Sequence, residues 1–210
     1  MNTSLLRRTG AVASLGIVLS LSLAACGSDD SSDTAATPTG DATTATSTTE
    51  PANFGAGCAA VPADGDGSFN GMATAQVATA ASANPVLSTL VAAVGAAGLG
   101  DTLNSAPAIT VFAPANSAFD KIPKADLANL LKPAQKDALT KILTHHVVSG
   151  KLAPSQLAGE HTTLAGDKIN IVGSGEDFTV EGKTVKSKIV CGNVTTANAT
   201  VYIIDTVLTD

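Results

Sequence analysis

Three groups of residues in this chain are of types that do chemistry, and their spacing says what each can do. His145 and His146 are adjacent, and imidazoles bind metals or move protons near neutral pH. Neighbouring residues at a helix end point in different directions, so both binding one ion is awkward. A third ligand would have to be His161 or a carboxylate, and no spacing selects one. The expectation is a buried His146 hydrogen-bonded to backbone. Gly173-Ser174-Gly175 carries a hydroxyl but lacks the Gly-x-Ser-x-Gly elbow and falls between strand-like runs, so it reads as a turn. Glu176-Asp177 and Asp64-Gly65-Asp66 bring carboxylates together without the ligand ladder of a calcium loop, and read as solvated turns. No glycine-rich phosphate cradle occurs. The residues therefore predict no catalytic group, no metal and no cofactor.

The elements that would position these residues fall into two halves. Val86, Leu87, Leu90, Val91 and Val94 recur at helical spacing behind Asn84-Pro85, with Asn as N-cap and Pro at the first helical position. Many Ala and Gly follow; they would let helices pack closely, and a groove for lipid is the alternative. Pro123 opens a short helix through Leu127, Leu130 and Leu131. Pro133 opens another in which Leu139, Ile142, Leu143 and His146 form one apolar stripe. The last third changes period: Lys168–Val172, Phe178–Val180, Thr184–Val190 and Thr200–Ile204 are β-rich runs separated by Gly, Asp and Asn. Helices early and strands late predict an α+β fold.

The N-terminus points outside the cytoplasm. Arg7 and Arg8 precede an uncharged run, Gly10 to Ala25, too short for a comfortable transmembrane helix but ordered like a secretory signal. It ends in Leu23-Ala24-Ala25-Cys26-Gly27, which resembles the bacterial lipobox, whose cysteine is alkylated with diacylglycerol and becomes residue one. Residues 1–25 are thus expected to be a signal for general secretion and Cys26 a lipid anchor on the outer face of the cell membrane, with part of the protein secreted. Loss of Arg7 and Arg8 with the signal moves the formal net charge from −6 to −8. With no basic block, no Trp and a single Tyr, neither a cationic groove nor stacking platforms remain for nucleic acid.

Residues 27–53 contain no Val, Ile, Leu or aromatic residue, and so cannot bury enough surface to offset ordering entropy. The expectation for residues 26–54 is a lipidated cysteine followed by a flexible stalk, with a reach of about 30 Å. Thr43, Thr44, Thr46, Thr48 and Thr49, beside Pro51, have the composition of an O-glycosylated stalk; a bare polar spacer explains them nearly as well. With Cys26 assigned to lipid, Cys58 and Cys191 are the pair left. Outside the cytoplasm they can form a disulfide, the alternative being two free thiols. The bridge would close a loop of about 134 residues, for which chain entropy sets roughly 5 kcal/mol as an upper guide. Residues 55–210 read as one domain.

Three segments in order then resemble a known family. Thr110-Val-Phe-Ala-Pro-Ala-Asn-Ser-Ala-Phe119 is a strand running into a turn, with Asn116 placed to cap the helix carrying Phe119. Leu143-Thr-His-His-Val147 closes the Pro133 helix. Asn198-Ala-Thr-Val-Tyr-Ile-Ile-Asp-Thr-Val-Leu208 ends the chain. Together they resemble the first box, the Tyr-His motif and the second box of the fasciclin domain, and with the lipobox and stalk they look like mycobacterial and actinobacterial surface lipoprotein antigens. The resemblance implies a wedge with a β-sandwich-like core and helices packed at one end. It places Phe112, Pro114, Asn116 and Phe119 in the first box, His146 at the family histidine, and Ile203, Asp205 and Val207 in the second box. It implies a monomeric, non-enzymatic module for adhesion or ligand binding, with a surface, matrix or glycan ligand as partner and recognition by a host as an antigen. His145 stands where the family usually has Tyr, which argues against integrin recognition. The rival reading, a small-molecule or lipid carrier, requires an apolar pocket of about 300 Å3 or more.

Overall fold

The computed structural model describes residues 52–209. Six of its α-helices lie before the second strand: α1 (Phe69–Thr74), α2 (Val77–Ala83), α3 (Ser88–Ala97), α4 (Gly100–Ser105), α5 (Asn116–Phe119) and α6 (Lys124–Leu130). The seventh, α7 (Lys136–His145), leads directly into it. Strand β1 (Ile109–Pro114) interrupts this half, and β2 (Val147–Ser149), β3 (Gly159–Thr162), β4 (Lys168–Ser174), β5 (Asp177–Glu181), β6 (Lys186–Thr195) and β7 (Ala199–Ile204) complete the sheet. The class is α+β, as the sequence predicts.

The sheet order is β2-β1-β7-β6-β5-β4-β3. Only β1 and β7 run parallel, in a register that sets Phe112 opposite Tyr202 and Pro114 opposite Ile204. The two edges come together: Val148 bridges Thr163, and the Leu164 N–H donates to the Val147 carbonyl at 2.7 Å. The sheet is therefore rolled nearly closed, and its opposed halves make the sandwich-like core.

Alternation along the strands then builds two cores. In β1, Val111 and Ala113 face the helices while Phe112 faces into the roll; in β7, Val201 and Ile203 face the helices while Tyr202 and Ile204 face in. Strands covered on both faces show no polar alternation, which is why every residue of β1 and β7 is buried. The interior of the roll is aromatic: Phe112 stacks on Tyr202 with ring centroids 5.9 Å apart, and Phe54 lies 5.8 Å from Phe178.

Strand β6 has two register shifts against β7, between Ile189 and Cys191 and between Cys191 and Val194. A bulge inserts a residue and re-aims the side chains after it. Ile189 thus points into the roll, while Cys191 and Val194 point to the helices. Asn193 takes φ of 60°, a left-handed value that Asn tolerates better than most residues. The same turn of the strand lets Cys191 meet Cys58, and the disulfide forms. Just before Cys58, Phe54 exchanges two backbone hydrogen bonds with Gly192, at 2.8 and 3.2 Å. A Cβ at Gly192 would strike the Phe54 ring, so only glycine allows this approach.

Candidate functional site

The three family segments converge on one place, and what they build there is a scaffold. β1 and β7 are paired directly, and the Phe112 N–H donates to the His146 carbonyl at 2.8 Å. The His146 ring lies between the Ile142 carbonyl, 2.7 Å from Nδ1, and the Leu208 N–H, 3.0 Å from Nε2. A carbonyl only accepts and an N–H only donates, so Nδ1 carries the proton and Nε2 is the acceptor. Burial holds this imidazole at a pKa of about 4; the Ile142 hydrogen bond opposes the shift and His145 adds to it. A neutral histidine with both nitrogens engaged cannot bind a metal or take up a proton near pH 7.

His145 points elsewhere, with its ring edge-on to His146. Its Nδ1 lies 3.6 Å from the Asp167 carboxylate, beyond a hydrogen bond, and neither ring nitrogen has a hydrogen-bond partner within the protein. His161 is engaged apart from both, its Nε2 lying 2.8 Å from the Leu157 carbonyl. Among the described residues no three His, Cys, Asp or Glu side chains stand close enough to hold a metal ion. Ser174 ends β4 opposite Asp177, so Gly175-Glu176 is a two-residue hairpin turn. Asp177 pairs with Lys188 at 3.0 Å on the surface.

Asn116 requires a correction. It is the first residue of α5 and caps nothing there. Its Oδ1 accepts from the Thr89 N–H at 3.0 Å, and its Nδ2 donates to the Pro85 carbonyl at 2.9 Å. It therefore caps α3 from across the fold. The reason is local: Ala115 already holds the extended geometry that precedes α5, so the amide is free to reach the unpaired amides of a neighbouring helix.

Two further asparagines, which sequence reasoning did not single out for this role, act alike. Asn198 Oδ1 accepts from Val77 N–H at 2.9 Å, and its Nδ2 donates to the carbonyls of Leu103 and Ala106 at 2.8 and 2.9 Å. Asn104 Oδ1 accepts from Ala78 N–H at 2.9 Å. Helix α2 has no side-chain cap of its own; these two supply it. Asn198 is itself buried.

The remaining family residues sit at the seams. Phe112 is fully buried in the roll, whereas Phe119, Ile203 and Val207 pack on the helical side. Pro114 ends β1. Asp205 accepts from the Lys188 N–H at 2.9 Å and pairs with Lys121 at 3.2 Å, joining the second box to the loop after α5. Burial raises its pKa, but these partners and the Thr206 hydroxyl outweigh it and hold the carboxyl below its usual range. Cys26 and Thr43, Thr44, Thr46, Thr48 and Thr49 lie outside the described residues.

Among the described residues a hollow lies between the helices and the sheet; it measures about 210 Å3, short of the roughly 300 Å3 that a small-molecule or lipid carrier requires. Leu90 and Val94 of α3, Leu103 of α4, Val111 of β1 and Val201 of β7 line it. The Ala- and Gly-rich helices leave this space above the sheet because small side chains line it on their side.

A nearly closed sheet, helices gathered on one face and three converging motifs define a fasciclin-type α+β module. A fasciclin domain model matches residues 85–210, and the chain belongs to that family. It is 43% identical over 216 residues to the cell surface glycolipoprotein MPB83 of Mycobacterium bovis, covering 96% of this chain and 95% of that protein. It is also 43% identical over 162 residues to the immunogenic protein MPB70 of the same species, covering 73% of this chain and 80% of that one. Among solved structures, a FAS1 domain pair from the insect cell adhesion molecule fasciclin I superposes with a TM-score of 0.60 at 15% identity over 67% of this chain. The chain spans about half the length of that structure, 52% of it, and the likeness bears on fold alone.

Proposed function

We propose that this chain is a lipid-anchored module displayed on the cell surface, working by binding and not by catalysis. The observation that carries this reading is the match to a cell surface glycolipoprotein over 96% of the chain, which extends beyond the folded domain into the segment holding Cys26 and the threonines. Residue chemistry supports it: the family histidine is locked in the scaffold, and among the described residues the second histidine has no ligand set around it. In this reading acyl groups on Cys26 hold the protein at the membrane, Thr43 to Thr49 carry glycan, and the domain engages a surface, matrix or glycan ligand as a monomer. Tethering raises the domain's effective concentration at the surface.

Mass spectrometry of the membrane-associated mature protein tests the anchor. Diacylglycerol-modified Cys26 is expected, and Cys26→Ala should release the protein into the medium. An unmodified Cys26 in the membrane fraction, or full retention of the variant, would overturn it. A glycan array and pull-down with the domain test the binding half, and saturable turnover of any substrate by purified protein would refute it.

A further inference from the structure

The hollow above the sheet has a wall that selects one ligand chemistry. No Asp, Glu, Lys, Arg, Phe or Tyr lines its volume of about 210 Å3. Of the polar side chains that reach the wall, Thr102 is exposed, and the other four are engaged inside the fold. Both His146 nitrogens are taken, the Thr144 hydroxyl donates to the Thr140 carbonyl at 2.9 Å, and that of Thr196 donates to the Ala199 carbonyl at 3.0 Å. Asn84 Oδ1 accepts from the Val86 N–H at 3.1 Å. A charged or amide-bearing group brought inside would find no partner and would lose its hydration uncompensated. Hydrocarbon meets no such penalty. His146 carries the single ring in the wall, and the rest is aliphatic or small, so a flexible chain suits it better than a planar one.

The hollow does not collapse because its helices are held at their ends. Asn198 and Asn104 fix the start of α2, and Asn116 fixes the start of α3. Between these ties, Ala80, Ala81 and Gly95 are too short to reach across. Wall atoms with nothing opposite forfeit dispersion contacts, which an occupant restores. At the lip stands Leu164, 46% exposed, one of two large apolar side chains so placed among the described residues. It carries the apolar wall out to water, where a head group would sit.

We propose that this hollow, too small for the carrier reading, binds a single short unbranched alkyl or acyl chain with its head group at the Leu164 lip. A dry cavity of about 150 Å3 holds benzene, so by proportion this one of about 210 Å3 takes about eight carbons. The chain is that of a diffusible lipid.

The test uses the polypeptide from residue 26 onward with Cys26→Ser and the disulfide intact, titrated with decanoate and separately with octanol. Methyl resonances of Leu90, Val94 and Leu103 should shift saturably with both, because the wall does not require a charged head. Ala81→Leu, which fills the hollow, should weaken decanoate at least tenfold. Leu164→Asp, at an exposed position that leaves the core intact, should weaken decanoate more than octanol. No saturable shift, shifts confined to methyls outside the hollow, or unchanged affinity in both variants would overturn the proposal.

Discussion

The two faces of the sheet support cores made by different means. Inside the roll, Phe54, Phe112, Phe178 and Tyr202 fill the space, and the Tyr202 hydroxyl donates to the Leu152 carbonyl at 2.8 Å. Under the helices the side chains are mostly aliphatic, with Phe119 the one buried aromatic, and a hollow remains. The first core is held by contact throughout its volume. The second is held at its margins, by asparagines that cap α2 and α3 from distant parts of the chain and by the disulfide at β6. A packed core resists change in any direction, whereas a margin-held one tolerates added volume and fails when its ties are cut.

The largest effect should come from truncation in the roll. Phe112→Ala is expected to lower stability by about 4 kcal/mol, whereas Leu90→Ala, already facing empty space, should fall near 2 kcal/mol, the low end for such changes. Denaturant unfolding of both variants measures this, and equal losses would remove the distinction between the cores. Acid comes next. The His146 pKa lies at about 4 in the folded chain, against 6.5 for a freely solvated histidine. The unfolded chain therefore binds a proton that the folded one refuses. Stability is fully present above pH 6.5, falls as pH drops toward 4, and loses about 3 kcal/mol over that window. His146→Gln should flatten this part of the profile; an unchanged slope would show that the ring is not buried neutral. The smallest effect is at a tie: Asn116→Ala removes the cap on α3 and should cost about 1 kcal/mol, with amide exchange rising first at Thr89. Protection lost in the sheet instead would mean that the margins are not what holds the helices.

Elements announced by local signals were legible in the sequence. Pro85, Pro123 and Pro133 mark the starts of helical segments, though the first and third open with a 3-10 turn before α3 and α7. The runs predicted from β-branched residues became β4 to β7. Other parts had no local signal. β2 is three residues long and continues the apolar end of α7, and β3 reads Gly-Glu-His-Thr without alternation. Helices α1, α2 and α4 carry no apolar stripe. The ties on α2 span 26 and 121 residues, and a cap that distant leaves no pattern nearby. The family boxes are visible in the sequence, yet their residues prove to be structural joints, because buried packing and ligand contact draw on the same residue types. The hollow was hidden for a related reason: Ala and Gly read alike whether a helix closes on its neighbour or stops short of it.

The bridge between Cys58 and Cys191 also sets how force enters the domain. Tension arriving along the polypeptide from its N-terminal side reaches a covalent branch point near the start of the domain and passes straight into β6, in the middle of the sheet. The 133 residues of separation between the two sulfurs lie off that load path when the opposing pull is at the C-terminal strand. Shear on a tethered molecule would then strain the β6–β7 ladder and leave the helices slack, so whatever they enclose would be shielded from drag.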